Sequence, residues 1–222
     1  MKKIMCVLGF IFLVVETQAQ VVINEVCYDT PYTESRTEWI ELYNKSGADI
    51  TLIGWYIKDD TSTDTIPSGT TISVGGFLVL AADRDSFLLY YPTVPPAVVV
   101  DMPSNTLGNG LTNTADMLQI FNGSGTKIDQ MNWGTPNPAW TNYDATLWNP
   151  ACPDVIEGHS LARSPNGADT DSPSDFADAS SPTPGSSNTL TGIEEPTLSP
   201  STWGRIKALY AVPPYKRIPI QN

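Results

Sequence analysis

Near its start the chain reads Val-Val-Ile-Asn-Glu-Val-Cys at residues 21–27, Glu-Trp-Ile-Glu-Leu-Tyr at residues 38–43 and Leu-Ile-Gly-Trp-Tyr-Ile-Lys-Asp at residues 52–59. The first segment is β-branched with few polar residues, and in the second two glutamates interrupt an apolar run. The turn-forming residues Asn44 to Gly47 follow the second segment directly. Short apolar runs bounded by such residues are typical of β-strands. The opening of the chain therefore predicts a β-sheet protein.

The same pattern continues toward residue 132, with turn residues about every eight to twelve positions, which is typical of a sandwich or barrel. Asn122 to Gly125 predicts a hairpin, and residues 86–91 predict a short helix capped by Asp83 or Asp85. A further short strand is expected at residues 158–163. The period-two spacing places eight residues in the core: Ile40, Leu42, Trp55, Ile57, Leu78, Leu80, Leu118 and Ile120.

The composition limits the class of function. The 222 residues include 19 prolines and 16 glycines, and only 16% are charged, which excludes a coiled coil and fits strands joined by turns. The formal net charge is −12. A surface of this sign repels phosphate backbones, so nucleic acid is not an expected partner.

The N-terminus has the features of a cleavable signal peptide. Lys2 and Lys3 precede an apolar run from Ile4 to Val15, and a small residue, Ala19, marks the expected cleavage position. The run is too short to span a bilayer, which needs about 20 residues. We therefore expect residues 1–19 to be removed and the protein to be secreted or held at the cell surface, with no transmembrane segment in the mature chain.

The mature chain divides into three parts. Residues 20–188 form the predicted sandwich, and residues 189–202 have the Ser, Thr and Pro content of a linker. Residues 203–222 form a basic tail without acidic residues. We expect this tail to be frayed, or to be a short amphipathic segment that contacts an acidic partner, a membrane surface or its own domain.

The order of the segments resembles the lamin tail domain as it occurs in exported bacterial proteins. The resemblance rests on the three opening segments and on later landmarks, namely Gly75 to Leu80, the short helix before Tyr91-Pro92, Ser160 to Arg163, Asp175-Phe176 and Pro182 to Asn188. It implies an all-β, immunoglobulin-like antiparallel β-sandwich that acts as a non-catalytic binding or scaffolding module. It brings no catalytic residues with it, and fold alone does not fix a ligand.

Two groups of residues suggest crosslinks or metal binding. Cys27 and Cys152 remain after signal cleavage, and either form a disulfide in an oxidising compartment or stay as separate buried thiols. The acidic stretch at residues 166–178 contains Asp169, Asp171, Asp175 and Asp178. Oxygen-rich loops of this kind bind calcium, although this stretch lacks the full EF-hand register and solvated loops have similar sequences. Apart from calcium, no cofactor is expected.

The aromatic residues after residue 132 suggest a ligand site. Trp140, Tyr143 and Trp148 alternate with asparagines, and flat rings beside amides suit a sugar. The alternative is that the loop covers an open end of the sandwich, and we expect this covering role for Trp133. The one histidine, His159, has no evident partner for catalysis and is expected to be structural.

These observations predict a secreted, non-enzymatic β-sandwich that recognises an extracellular protein or glycan. A calcium- or carbohydrate-binding accessory module is the first alternative. An extracellular hydrolase with an unrecognised site is the alternative from a different class.

Overall fold

The alternating pattern of the sequence forms two packed sheets in the computed structural model, which describes residues 20–32 and 35–189. The strands are β1 (Val21–Cys27), β2 (Trp39–Asn44), β3 (Ile50–Thr51), β4 (Tyr56–Lys58), β5 (Thr63–Thr65), β6 (Thr71–Ile72), β7 (Phe77–Ala81), β8 (Val99–Asp101), β9 (Asp116–Phe121), β10 (Lys127–Trp133), β11 (Ser160–Arg163) and β12 (Phe176–Ala179). One α-helix of these residues, α1, spans Arg84–Tyr90, and 3-10 helices span Pro96–Val98 and Pro173–Asp175.

The strand order within the described residues is β12-β11-β1-β2-β7-β8 in the larger sheet and β10-β9-β4-β5 in the smaller one, with β3 and β6 as a separate pair. Neighbouring strands are antiparallel, except that β8 lies parallel to β7. The predicted immunoglobulin-like antiparallel β-sandwich is confirmed, with this parallel pair as a departure.

The main core lies between the two sheets and contains seven of the eight predicted core residues: Ile40, Leu42, Ile57, Leu78, Leu80, Leu118 and Ile120. The prediction for Trp55 is wrong, because its side chain is only half-buried. The third opening segment, residues 52–59, is not one continuous strand: β3 ends before it, and a turn in which the Trp55 N–H donates to the Leu52 carbonyl (3.2 Å) precedes β4. The turn moves Trp55 to the margin of the core.

A second cluster covers the outer face of the larger sheet beneath α1. Phe87 packs edge-on against Trp39 at a centroid distance of 6.1 Å. Asp83 caps the helix by accepting a hydrogen bond from the Ser86 N–H (2.9 Å), and the helix ends before Pro92 as predicted. The helix therefore closes one face of the larger sheet.

Two β-bulges change which way the following residues face. In β1 the register shifts between Ile23 and Glu25, so Asn24 has no partner residue in β2. In β10 the register shifts between Lys127 and Asp129, which aligns Asp129 with the core residue Ile120. A bulge inserts one residue and reverses the alternation beyond it. The second bulge therefore turns the Asp129 carboxylate inward.

The larger sheet is completed by β11 and β12. Glu25 pairs with Ala162, and Arg163 pairs with Phe176, so the last strands lie beside the first one. The segment after β12 is held by buried acceptors, since Glu25 accepts from the Thr183 N–H (3.0 Å) and Glu41 from the Gly185 N–H (2.6 Å). The end of the chain's folded part is thus anchored to β1 and β2.

The predicted signal peptide (residues 1–19), nearly all of the predicted linker (189–202) and the predicted tail (203–222) lie outside the described residues. In residues 20–32 and 35–189, no helix has the length and apolar character needed to cross a membrane.

Candidate ligand-binding cleft

A cleft of about 1050 Å³ lies where the start of β1, the β9–β10 hairpin and the segment after β11 meet. It is lined by Gln20, Val21, Ile50, Trp55, Asn122, Thr126, Lys127, Ile128, Asp129, Gln130, Thr146, Trp148, Asp169, Thr170 and Asp171. Clefts of this size that combine aromatic walls with a few polar groups are the usual form of a ligand site. This cleft brings together members of both groups of candidates identified from the sequence.

Trp55 lines the cleft because of the close contact between two turns. Gly54, in the turn before Trp55, has a φ of 70°, and it lies against Gly123 of the β9–β10 hairpin. A Cβ at position 123 would come within 2.4 Å of the Ile53 carbonyl oxygen. Only glycine allows this approach, which keeps the Trp55 turn against the hairpin.

The buried side chain of Asn132 holds the backbone of Trp148 in position at the cleft. The Trp148 N–H donates to Asn132 Oδ1 (2.9 Å), and Asn132 Nδ2 donates to the Trp148 carbonyl (3.1 Å). The side chain of Asn132 therefore satisfies the backbone of Trp148 as a neighbouring strand would. The indole ring lies 6.2 Å from the buried ring of Phe176, centroid to centroid, and is half-buried.

A fully buried arginine supports this wall from below. The guanidinium of Arg163 stacks on Phe176 at 4.5 Å and makes two hydrogen bonds to Asp129, at 2.8 and 3.0 Å. It also donates to the carbonyls of Ile23 (2.7 Å) and Ala168 and to Asp175 (3.3 Å). Nη2 donates to both Asp129 oxygens while Nε and Nη1 have other acceptors, so these bonds and the stacking together restrict the guanidinium to one orientation.

Asp129 is the partner that the second bulge turns inward. Its Oδ2 also accepts from the Ile23 N–H (2.7 Å). Burial raises the pKa of Asp129 to about 6, while the charge of Arg163 acts in the opposite direction. The ion pair therefore joins β10 of the smaller sheet to β1 and β11 of the larger one below the cleft.

The rim of the cleft is a connected polar network. Lys127 Nζ donates to Gln130, Asp144 and Thr146, each at 2.7 Å. Gln130 Nε2 also donates to the Thr146 carbonyl (2.9 Å). These side-chain hydrogen bonds hold the residues after β10 against β10, which is an edge strand of the smaller sheet. The segment thereby covers backbone N–H and C=O groups of β10 that could otherwise pair with another strand.

The structure separates the four candidate calcium ligands. Asp169 and Asp171 line the cleft, Asp175 accepts from Thr170 and pairs with Arg163, and Asp178 lies on β12 beside His159. In the described ranges, no group of three or more His, Cys, Asp or Glu side chains could hold a metal ion. The carboxylates diverge because residues 176–179 form a strand instead of continuing the loop.

Asp169 has an unusual environment. Its side chain is 7% exposed and lies 3.7 Å from both Lys45 Nζ and Arg163 Nη1, which is too long for hydrogen bonds. Its Oδ1 is buried without a hydrogen-bond donor among the described residues. Asp171, by contrast, is exposed and adopts a φ of 54°.

The three candidate aromatic residues do not form one platform. Trp148 lines the cleft, whereas the half-buried Trp140 and the 39% exposed Tyr143 lie outside the cleft lining. Trp133 is fully buried and stacks on Tyr28 at 4.3 Å, as expected for a covering residue. The structure thus places Trp133 in β10 as a covering residue and brings only one of the three candidates, Trp148, to the cleft.

The considered disulfide is not formed. Cys27 and Cys152 are both free and buried. Cys27 faces the outer cluster under α1, while Cys152 belongs to the core between the sheets, so the two thiols lie on opposite faces of the larger sheet. Burial raises the pKa of Cys152 to about 12, which keeps this thiol protonated and unreactive.

His159 has a partner that the sequence did not indicate. Its Nδ1 lies 2.6 Å from Asp178 Oδ1, and neither residue lines the cleft. The cleft residues that sequence reasoning missed as a site include Trp55, Lys127, Asp129 and Gln130. A signal for Asp129 was present, since a carboxylate interrupts an otherwise alternating strand pattern there.

Comparison with known proteins gives a family match and distant similarity to solved structures. The family model described as Lamin Tail Domain matches residues 15–135, more than half of the chain. A solved structure of a DUF4876 family protein from Bacteroides thetaiotaomicron is similar at 12% identity, with a TM-score of 0.42, over 81% of this chain and 75% of that chain. No curated protein matches. Arg163 and Phe176, which support the cleft, lie beyond the matched range.

Proposed function

The chain belongs to the lamin tail domain family, and from this premise we propose that it is an exported, non-catalytic module that recognises an extracellular protein or glycan through the cleft. The family consists of binding or scaffolding domains of the immunoglobulin-like fold. The single observation that carries the proposal is the cleft itself, with Trp55 and Trp148 in its walls.

The chemistry of the cleft supports binding rather than catalysis. Both oxygens of Asp129 are engaged by Arg163, and Lys127 is engaged by three neighbours. Neither group is therefore free to act as a general base. Asp169 and Asp171 have free carboxylate oxygens, but among the described residues neither is hydrogen-bonded to a second titratable group that would form an acid–base pair. His159, the residue most suited to acid–base chemistry at neutral pH, pairs with Asp178 away from the cleft lining.

Export is supported by the sequence and by where the fold begins. The predicted signal peptide ends at Ala19, and β1 begins at Val21. Removal of residues 1–19 would therefore leave every described strand intact. The net charge of −12 favours solubility, reduces non-specific association and disfavours polyanions as ligands.

Expression of the full chain in a bacterial host tests export. We expect the protein outside the cytoplasm, with an N-terminus at Gln20 by mass spectrometry. Purified residues 20–222 would then be screened against extracellular proteins and glycans, with and without calcium. A Trp148→Ala variant that binds as well as the unmodified protein would overturn the role of the cleft, and retention of the uncleaved chain in the cytoplasm would overturn export.

A further inference from the structure

The geometry of the cleft points to a neutral polysaccharide as its ligand, an inference that rests on the binding function proposed above. The occupant we infer is a chain of uncharged sugar rings. Its apolar ring face would lie on Trp148 and Trp55, and its hydroxyls would donate to Asp169 and Asp171. Four features of the cleft carry this choice: its size, its aromatic walls, its surplus of acceptors and its charge.

The size of the cleft favours a saccharide chain over a protein surface. The volume of about 1050 Å³ is at the upper end of the range for small-molecule pockets. A stable protein interface instead covers about 800 Å² on each partner and is centred on exposed apolar anchors. The apolar residues of the lining are recessed here: Val21 is fully buried, and Ile50 is partly buried against the core.

The aromatic walls suit a ring with one apolar face. Trp148 and Trp55 are each half-buried, which leaves part of each indole accessible while the rest is fixed in the core. The face of an indole carries negative charge density and attracts the weakly positive C–H groups of a sugar ring. Because Phe176 and Arg163 fix the position of Trp148 from below, little order has to be gained when a ligand binds.

The polar groups offer acceptors that lack donors. Among the residues the structure describes, Oδ1 of Asp169 is buried without a hydrogen-bond donor, and Asp171 beside it is exposed at the cleft. Unpaired acceptors in a partly buried site gain most from a donor that a ligand supplies. Hydroxyl groups are such donors, and hydrogen bonds to ionised carboxylates are stronger than those to neutral acceptors.

The charge of the cleft selects among saccharides. Three carboxylates line it, those of Asp129, Asp169 and Asp171, against one ammonium group, that of Lys127. Arg163 neutralises Asp129 from below, and Lys45 lies 3.7 Å from Asp169, so among the described residues the lining carboxylate without a basic side chain beside it is that of Asp171. A uronic acid or sulfate group would be placed near excess negative charge, so acidic polymers are disfavoured. Divalent cations are not required, because the carboxylates do not converge.

Affinity electrophoresis of residues 20–222 tests the inference, with gels that contain neutral polymers (a β-glucan, a xylan, a mannan) or acidic ones (polygalacturonate, alginate). We expect retardation by at least one neutral polymer, no retardation by the acidic ones and no change when EDTA is added. For that neutral polymer, Trp148→Ala should weaken binding about tenfold, and Asp171→Asn about threefold.

Trp140→Ala is the matched control, because Trp140 is a half-buried indole of the same loop that does not line the cleft. It should leave the affinity unchanged. Urea unfolding of each variant checks folding, and Trp55→Ala replaces Trp148→Ala if the latter does not fold. Quenching of the unmodified protein's tryptophan fluorescence by the retarding polymer gives a second readout that needs no substitution.

Retardation by acidic polymers alone, or by no polymer, overturns the inference, and so does an equal loss in Trp140→Ala and Trp148→Ala. The proposed function stands separately. If an extracellular protein or an acidic polymer binds and Trp148→Ala abolishes that binding, the cleft is a recognition site and only the neutral-sugar assignment fails.

Discussion

Replacement of Arg163 by Met should be among the most destabilising single changes in this protein. The substitution removes five hydrogen bonds and a stacked contact with Phe176. It leaves Asp129, whose side chain is 2% exposed, as a buried carboxylate without its counter-ion. Breaking a buried pair by removal of one partner costs about 3 to 5 kcal/mol. We therefore expect a loss of about 4 kcal/mol in the free energy of unfolding, measured by urea denaturation at pH 7.5.

Part of this loss should be recoverable. Asp129→Asn removes the buried charge but keeps an oxygen that can accept from the Ile23 N–H, so Arg163→Met with Asp129→Asn should be about 2 kcal/mol more stable than Arg163→Met alone.

The stability loss in Arg163→Met should also depend on pH. Burial already raises the pKa of Asp129 to about 6, and loss of Arg163 raises it further. Protonation then removes the unpaired charge, so the loss should shrink as the pH falls from 7.5 to 5.

Arg36→Met is the matched control for this experiment. Arg36 also pairs with an aspartate, Asp83 at 2.9 Å, but its side chain is 54% exposed. An exposed pair contributes about 0.5 kcal/mol, so this variant should be nearly as stable as the unmodified protein. If Arg163→Met costs less than about 1 kcal/mol, or if the two changes at Arg163 and Asp129 are additive, the buried ion pair does not connect the sheets in the way described.

Three further predictions concern other parts of the fold. Gly123→Ala should lower the free energy of unfolding by about 1 to 3 kcal/mol in urea, because its Cβ would meet a backbone carbonyl at 2.4 Å, while Gly47→Ala, with nothing within 4 Å, should be neutral; equal effects would contradict the close contact of the turns. Burial raises the pKa of Glu41 to about 8, so the folded state holds a proton that the unfolded state releases above about pH 4.5; stability should fall as the pH rises from 5 to 8, with Glu41 contributing at most about 1.4 kcal/mol per pH unit, and Glu41→Gln should make this slope shallower, which an unchanged slope would refute. Alkylation of residues 20–222, followed by mass spectrometry, should label Cys27 and Cys152 only after the protein is unfolded, and no reductant should be needed. If labelling of the unfolded protein requires a reductant, the two cysteines are bridged.

The features that could be predicted from sequence are those encoded by neighbouring residues. The capped helix at residues 84–90 needs only Asp83, Ser86 and a proline after its end, and the hairpin at 122–125 needs only its turn residues. Alternation within each strand is equally local, which is why seven of the eight core residues were found.

The features that could not be predicted depend on contacts between distant segments. The bulge in β10 is defined only by its pairing with β9, and the side that Asp129 faces follows from that pairing. Asp129 and Arg163 are 34 residues apart, so no local pattern joins them. The sequence of residues 166–178 predicts an acidic loop, because a four-residue strand such as β12 is identifiable only through its pairing with β11. The separation of the four aspartates follows from that pairing.

Phe176 contributes both to the wall of the cleft and to the stability of the sandwich, and variants of its neighbours can show the two contributions separately. Phe176 lies between Trp148 and Arg163, so a change at Arg163 alters both the free energy of unfolding and the position of the indole. Asp171 is exposed and supports no other described side chain, so a change there alters ligand contacts alone. We therefore expect Arg163→Met to lower both the free energy of unfolding and the affinity for the ligand. Asp171→Asn should lower the affinity alone. If Arg163→Met still folds and binds with unchanged affinity, then Trp148 is held by its backbone bonds to Asn132 and not by the stacked residues beneath it.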